Sequence, residues 1–142
     1  MSTTNHPVAL ICTFTWVGFM CGISFLEAWL KFRAPGVTLP IGLGIGRLVF
    51  GALNKVEMVL AAAILIDLIR GGSLAVRWPW IAVPVVLLLL QSFWLLPALD
   101  TRAELIIQGT EAPPSNLHFV FVLFELVKVG ALVVFGIKLF GR

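Results

Sequence analysis

Four apolar runs of about 20 residues each constrain the fold of this chain more than any other feature. A helix rises about 1.5 Å per residue, so a run of this length crosses the ~30 Å hydrocarbon core of a bilayer. The sequence therefore predicts an all-α fold, an integral membrane four-helix bundle that forms one transmembrane domain over residues 1–142. The predicted spans cover about residues 8–30, 46–69, 79–96 and 117–140.

The composition agrees with a surface that faces lipid. Of the residues, 60% are hydrophobic and only 12% are charged, whereas a soluble domain usually carries about 25% charged residues. The net charge of +3 comes without a basic run, so we expect no nucleic-acid partner. The tail before the first run lacks Lys and Arg, which argues against a cleaved signal peptide.

Loops are predicted where Pro, Gly and polar residues interrupt the apolar runs. The first should fold back on the bundle, and the third should contain a short amphipathic helix at the membrane interface. Asp67 and Arg70 are three residues apart on one helix and are expected to pair. The predicted loops are residues 31–45, 70–78 and 97–116.

Six charged residues lie within or at the edge of the apolar runs. A charge near the centre of a bilayer costs about 2.5–3.5 kcal/mol on insertion scales. Residues of this kind are expected to be paired, to face a cavity or to serve a function. Three acids balance three bases: Glu27, Glu57 and Glu125 against Arg47, Lys55 and Lys128.

Most of these polar residues fall on inward-facing stripes in the same half of the membrane. Seven residues separate Arg47 from Asn54, and seven separate His118 from Glu125, so each pair shares one helix face. Lys55 lies off its stripe and is expected to pair sideways or to contact a neighbouring subunit. The candidate ligand-binding residues are Glu27, Arg47, Asn54, Glu57, Gln91, His118, Glu125 and Lys128.

Two interpretations of this set stay open. In the first, a neutral network of charges holds a small bundle in register. In the second, the charges form a functional site. Buried ion pairs gain little stability over apolar packing, which favours the second. A path for protons or ions through the acids is a further possibility. Catalytic residues and cofactors stay unassigned from the residues alone.

The set also contains donors that could bind a metal ion. The candidate ligands are Glu27, Glu57, His118 and Glu125. The di-iron bundle pattern requires Glu-x-x-His on each of two helices. Here Lys128, and not a histidine, stands three residues after Glu125, so the sequence does not match that pattern.

The second run carries a local resemblance to a known family. The segment from Arg47 to Glu57, with Asn54 between them, resembles the second-helix pattern of the MAPEG superfamily, small four-helix membrane enzymes that conjugate glutathione to lipophilic substrates. The resemblance implies that these three residues belong to a glutathione site. Those enzymes typically also use an Arg and Tyr pattern later in the chain, and this sequence contains no tyrosine.

A broader resemblance covers most of the chain. The layout is similar to small bacterial four-helix membrane proteins of uncharacterised function and to the anthrone-oxygenase-like membrane families. It implies the four-helix fold and a location in a bacterial inner (cytoplasmic) membrane. The segments that carry it are residues 27–35, 44–50 and 91–97, with Arg102, His118 and Glu125.

These observations favour a small multi-pass membrane protein whose polar pocket binds or passes a small molecule or ion. One alternative is a membrane enzyme, MAPEG-like or oxygenase-like, that acts on a lipophilic substrate. Another is a non-catalytic small subunit of a larger membrane complex. The expected partners are the lipid bilayer, a small-molecule or ion ligand, and either a second copy of the chain or that complex.

Overall fold

The computed structural model describes residues 5–140, which form four long helices and no strand. Each helix is long and apolar enough to cross a membrane, which confirms the all-α class and a multi-pass membrane protein. The predicted domain limits at Met1 and Arg142 lie outside the described residues. The helices are α1 (Pro7–Arg33), α2 (Leu39–Arg70), α3 (Leu74–Ile107) and α4 (Leu117–Phe140).

The four helices run antiparallel in chain order because short connections join them. α1 packs against α2 and α4, and α3 packs against the same two helices, so the bundle is a ring of four. Residues 34–38 and 108–116 connect helices at what we term the loop end. The opposite end, termed the terminal end, holds the start of α1, the Gly71–Gly72 turn and the end of α4.

The first predicted loop is largely wrong, because α2 begins at Leu39 rather than near residue 46. Its glycines indicated a loop, but Gly42 and Gly44 lie inside the helix. Gly42, and Gly46 just after the predicted loop, lie at places of close approach. A Cβ at Gly42 would overlap the Phe32 ring, and a Cβ at Gly46 would come within 3.1 Å of the Lys31 ammonium. These glycines let the end of α1 lie directly against α2.

The third predicted loop is also shorter than expected, because α3 continues past Pro97 to Ile107. The helix widens into a π-helical segment over Gln91–Leu95, immediately before this proline. A proline in a regular α-helix removes one hydrogen bond and clashes with the preceding turn. The wider turn lies where that disruption falls, and the helix resumes at Leu96.

Asp67 does not pair with Arg70 as predicted. Its Oδ2 accepts a hydrogen bond from the backbone N–H of Ala9 at 2.7 Å and lies 4.0 Å from His6 Nδ1. The first N–H groups of a helix have no partner within that helix, so a carboxylate from α2 satisfies the start of α1. Arg70 is exposed.

Apolar side chains fill the interior of the terminal half of the bundle. They come from all four helices and are almost completely buried. The hydroxyl of Thr13, which is buried among them, donates to the carbonyl of Ala9 in its own helix. The main members of this apolar core are Ala9, Ile64, Leu68, Ile81, Leu88, Leu132, Phe135 and Leu139.

Candidate functional site

A buried polar cluster lies on the axis of the bundle and centres on Lys128 of α4, whose side chain is fully buried. Its Nζ lies 2.5 Å from Glu57 Oε2 on α2 and 2.9 Å from Glu125 Oε1, three residues earlier on α4. It also donates to Gln91 Oε1 on α3. The ammonium group thus donates hydrogen bonds to Glu57 and Gln91 and forms an ion pair with Glu125.

The two carboxylates have further donors, two of them from α1. Trp16 Nε1 donates to Glu57 Oε2 at 2.7 Å, and Ser24 Oγ donates to Glu125 Oε2 at 2.6 Å. Gln91 Nε2 donates to Glu125 Oε1 at 2.7 Å. Side chains from all four helices therefore meet in one hydrogen-bonded network. We term it the inner cluster: Trp16, Ser24, Glu57, Gln91, Glu125 and Lys128.

Two members of the inner cluster lie on irregular helical turns. Ser24 lies in a π-helical segment of α1, Cys21–Glu27, and Gln91 opens the segment Gln91–Leu95 of α3. A π-helical turn places an extra residue in the helix and changes the direction of the side chains around it, and such turns are frequent at functional sites. Here both segments turn a polar side chain toward Glu125.

The charges of the inner cluster do not balance. Two carboxylates, Glu57 and Glu125, surround one ammonium, whereas the sequence predicted three acids against three bases across the whole membrane. The third acid and the remaining bases lie elsewhere. Among the described residues, the inner cluster therefore contains one acid more than it contains bases.

A second group of charged residues lies nearer the loop end. Arg47 Nε lies 3.4 Å from Asp100 Oδ1, and the Arg47 guanidinium also binds the Glu104 carboxylate. Lys31 Nζ lies 3.4 Å from Glu27 Oε1, one turn away on α1. Asp100 and Glu104 can reach Arg47 only because α3 continues through the segment that was predicted as a loop.

An outer cavity of about 230 Å³ opens between the helices at this level. Mainly apolar side chains surround it, and Lys31, Arg47 and Arg102 bring positive charge to its wall. The Arg102 guanidinium donates to the backbone carbonyl of Pro113. The rest of the wall includes Phe32, Gly46, Phe50, Leu96, Leu99, Asp100, Ala103, Ile106, His118 and Phe121.

A lower cavity of about 410 Å³ continues from the outer one toward the membrane centre. Phe50 and Phe121 line both cavities, and their rings meet edge to face with centroids 5.4 Å apart. Ser24 and Glu125 line the lower cavity, so the inner cluster is in contact with this space. The two cavities also share Ala28, Phe32 and His118.

The structure separates the eight predicted site residues into three groups. Four of them meet in the inner cluster, and Arg47 and His118 line the outer cavity. Asn54 instead donates to Ser92 Oγ at 2.8 Å, and Glu27 pairs with Lys31. The inner four are Glu57, Gln91, Glu125 and Lys128.

The residues named as metal ligands are not gathered at one point. Within residues 5–140, no three His, Cys, Asp or Glu side chains lie close enough together to bind a metal ion. Glu57 and Glu125 both contact Lys128, whereas Glu27 pairs with Lys31 and His118 lines the cavities.

Two members of the inner cluster, Trp16 and Ser24, were absent from the predicted site. Trp16 carried a signal in the sequence. Four tryptophans lie near predicted span ends, where aromatic residues collect at the membrane interface, but Trp16 lies in the middle of a run. An indole N–H in that position needs a buried acceptor. The partner of Ser24 depends on the π-helical segment of α1, which the residue pattern does not reveal.

The fold and the site together define a class: a four-helix integral membrane protein with a buried charged cluster beneath a cavity that opens near one membrane surface. Comparisons with family models, with curated proteins and with solved structures find no match to this chain. The function therefore has to be inferred from the geometry itself.

Proposed function

We propose that this protein binds a small lipophilic molecule with one anionic group, held in the outer and lower cavities. The observation that carries this proposal is a mainly apolar cavity whose wall includes Arg102. Arg102 donates to a backbone carbonyl and has no ion pair with an acid among residues 5–140. A ligand anion would supply that missing charge.

The shape and lining of the cavities support an elongated ligand. The outer cavity of about 230 Å³ leads to a lower one of about 410 Å³ past the rings of Phe50 and Phe121. Small-molecule sites are mostly apolar, with a few polar groups that fix the orientation of the ligand. The anionic group would lie near Arg102, and the apolar body would extend between the aromatic rings toward Glu125.

The interior of the terminal half favours binding over passage. Beyond the inner cluster, buried apolar residues such as Leu88, Leu132 and Phe135 fill the space between the helices. An ion that crossed this half would need polar groups or water along its route. Within residues 5–140, the buried polar groups of this half are the hydroxyl of Thr13, which is bonded to its own helix, and His6, which lies beside Asp67 at the terminal end.

A membrane enzyme that transforms a lipophilic substrate is the second candidate, and one observation favours it. The Glu125 carboxyl lies at the inner end of the lower cavity, where a bound molecule would touch it. A carboxyl group in that position can act as a general acid or base. In this case Glu125→Gln would abolish turnover of the bound molecule while binding persists.

We also propose that the protein resides in a bacterial inner membrane, on the basis of the resemblance of its sequence layout to small bacterial four-helix membrane proteins. Fractionation of bacterial membranes would test this location. Recovery in the outer-membrane fraction would contradict it.

The binding proposal can be tested with three ten-carbon probes: decanoate, decanol and decylamine. Binding would be measured by equilibrium dialysis against the protein in lipid nanodiscs, with empty nanodiscs to correct for partition into lipid. Decanoate should bind most tightly. Arg102→Gln should weaken decanoate binding about tenfold or more, since a charge-assisted hydrogen bond contributes about 1.5–3 kcal/mol. The same change should leave decanol binding unchanged.

A blocking variant and a matched control locate the bound probe. Ala28 lines both cavities, so Ala28→Phe should fill the passage between them and abolish binding. Ala62 is exposed on the lipid-facing side of α2, and Ala62→Phe adds the same volume without touching either cavity. Equal binding by wild type and Ala28→Phe would overturn the proposal.

A further inference from the structure

Lys55 is exposed on the outer surface of α2, in the middle of the span. It lies eight residues, about 12 Å along the helix, from Arg47 at the outer cavity. Its neighbours on the same face, Ala52 and Val59, are also exposed. In a membrane this face contacts hydrocarbon, where an ammonium group is costly by about 2.5–3.5 kcal/mol on insertion scales.

The bases nearest to Lys55 in depth, and Lys31 and Arg47 at the outer cavity, have acidic partners. Lys31 pairs with Glu27, Arg47 pairs with Asp100, and Lys128 lies between two carboxylates. Within residues 5–140, Lys55 has neither an ion pair nor a hydrogen bond through its side chain. These charges are therefore paired within the bundle, whereas the charge of Lys55 lies on the outer surface.

We propose that the face of α2 around Lys55 docks a membrane-spanning helix of a different protein, and that this helix carries an Asp or Glu at the depth of Lys55. The face repeats at intervals of four and three residues, the spacing at which two helices pack along a seam. Two alanines on it permit a close approach of the helix backbones. The face consists of Leu48, Ala52, Lys55, Val59, Ala62 and Ile66.

Charge excludes a second copy of this chain as the occupant. A symmetric pair formed through this face would place Lys55 near the Lys55 of the other copy, and like charges repel strongly at low dielectric. The acids at this depth, Glu57 and Glu125, are buried in the inner cluster and cannot reach another chain. A carboxylate of a different protein supplies the missing charge.

Depth argues against a phospholipid headgroup. Arg47, Asp100 and Glu104 mark the polar level at the loop end, and Lys55 lies about 12 Å below Arg47 along α2. The four-carbon stem of a lysine is shorter than that distance. A carboxylate on a neighbouring helix can meet the ammonium within the hydrocarbon.

Site-specific photocrosslinking in the native membrane tests the proposal. A photoreactive benzophenone side chain would replace Val59, one turn from Lys55, in cells that naturally make the protein. The control position is Phe93, which is 76% exposed on α3. We expect an adduct from position 59, absent from position 93, in which mass spectrometry finds an apolar segment with an Asp or Glu.

Two substitutions show whether the adduct depends on the positive charge of Lys55. Lys55→Leu should abolish the adduct, and Lys55→Arg should retain it. Lys55 has no ion pair or side-chain hydrogen bond within the described residues, so the purified Lys55→Leu protein should unfold at the same denaturant concentration as wild type. If Lys55→Leu unfolds at a lower denaturant concentration than wild type, Lys55→Glu is used in the crosslinking experiment instead. It should also abolish the adduct.

Several outcomes would overturn the proposal. They are an adduct between two copies of this chain, an adduct with lipid alone, no adduct, and an adduct of unchanged yield in Lys55→Leu. A partner segment without an acidic residue would also overturn it.

Discussion

The two halves of this bundle use the same four helices but are held together differently. In the interior of the terminal half, apolar side chains such as Ile64, Leu132 and Phe135 pack together, and the polar contacts between helices, such as that of Asp67 with the start of α1, lie at the end of the bundle. In the loop half, Lys128 connects two carboxylates and the Gln91 amide, and the carboxylates accept hydrogen bonds from Trp16 and Ser24 of α1. Lipid is as apolar as a packed core, so the first half is stabilised by close packing and the second by directional bonds.

The helices themselves differ between the halves. Both π-helical segments, Cys21–Glu27 and Gln91–Leu95, lie in the loop half, whereas the parts of α1 and α3 in the terminal half are regular. The cavities also lie in the loop half, beside these segments. The irregular turns therefore lie beside the polar network, whereas the apolar core packs on regular turns of α1 and α3.

The largest expected effect is the loss of the ammonium at the centre of the polar half. Lys128→Met leaves Glu57 and Glu125 buried without their cation, which should destabilise the protein by about 3–5 kcal/mol. The free energy of unfolding in mixed micelles measures this loss. Lys138→Met removes an exposed ammonium that lies over the Trp80 ring and should change stability far less.

The same site offers a test of whether the stability of the inner cluster depends on its charge balance or on its particular hydrogen bonds. Glu57→Gln and Glu125→Gln, combined with Lys128→Met, remove all three charges at nearly constant volume. Since neutral replacement of a buried ionic group is often tolerated, the triple variant should recover most of the loss. A triple variant as unstable as Lys128→Met would show that the network depends on its particular hydrogen bonds.

In the apolar half, one buried leucine gives the matching measurement. Leu132 is fully buried one turn beyond Lys128, and Leu132→Ala should cost about 2 kcal/mol, the lower end of the range for buried leucines. The loss is small because the separated helices would also lie in an apolar solvent. If Leu132→Ala lowers the free energy of unfolding more than Lys128→Met does, the apolar half, and not the polar half, contains the more sensitive position.

A smaller effect should come from the indole of Trp16. Trp16→Phe keeps an aromatic ring and removes the hydrogen bond to Glu57 Oε2, 2.7 Å long. A hydrogen bond to a charged group contributes about 1.5 kcal/mol or more, so we expect a loss of this order in the free energy of unfolding. In a Glu57→Gln background the loss should be smaller, which a double-mutant cycle would measure.

The smallest effect is expected at Asn54, which stands beside the inner cluster. Its amide donates to Ser92 Oγ, and hydrogen bonds between membrane helices contribute about 0.6 kcal/mol on average. Asn54→Leu and Ser92→Ala should therefore couple by about this amount in a double-mutant cycle. Decanoate binding should be unchanged, and a clear loss of binding would place Asn54 in the ligand site.

The sequence predicted the four helices and a good part of the inner cluster. The apolar runs set the number of spans, and helical spacing placed Glu125 and Lys128 on one face of α4. Glu57 and Gln91 fell at similar depth on other helices, so their meeting was foreseeable. Trp16 was recognisable only as a tryptophan away from the membrane surface.

Other parts of the site were beyond the reach of the residue pattern. Pro97 indicated the end of a span, so Asp100 and Glu104 were predicted to lie in a loop. They were therefore not predicted as partners of Arg47. The continuation of α3 depends on the π-helical segment before this proline, and the residue pattern does not predict that segment. Helical spacing places Ser24 on an inward-facing stripe with Glu27 and Lys31, but its contact with Glu125 lies in the π-helical segment of α1, which the spacing does not predict.

The sequence by itself determined that the chain is a four-helix membrane protein, because only runs of this length and polarity match the thickness of a bilayer. It also determined that polar groups gather in one half of the membrane. The tertiary structure alone decided which charges pair: two carboxylates with Lys128, two with Arg47 and, among residues 5–140, none with Lys55. Pairing depends on the height and rotation of each helix against its neighbours, which spacing along one helix does not specify.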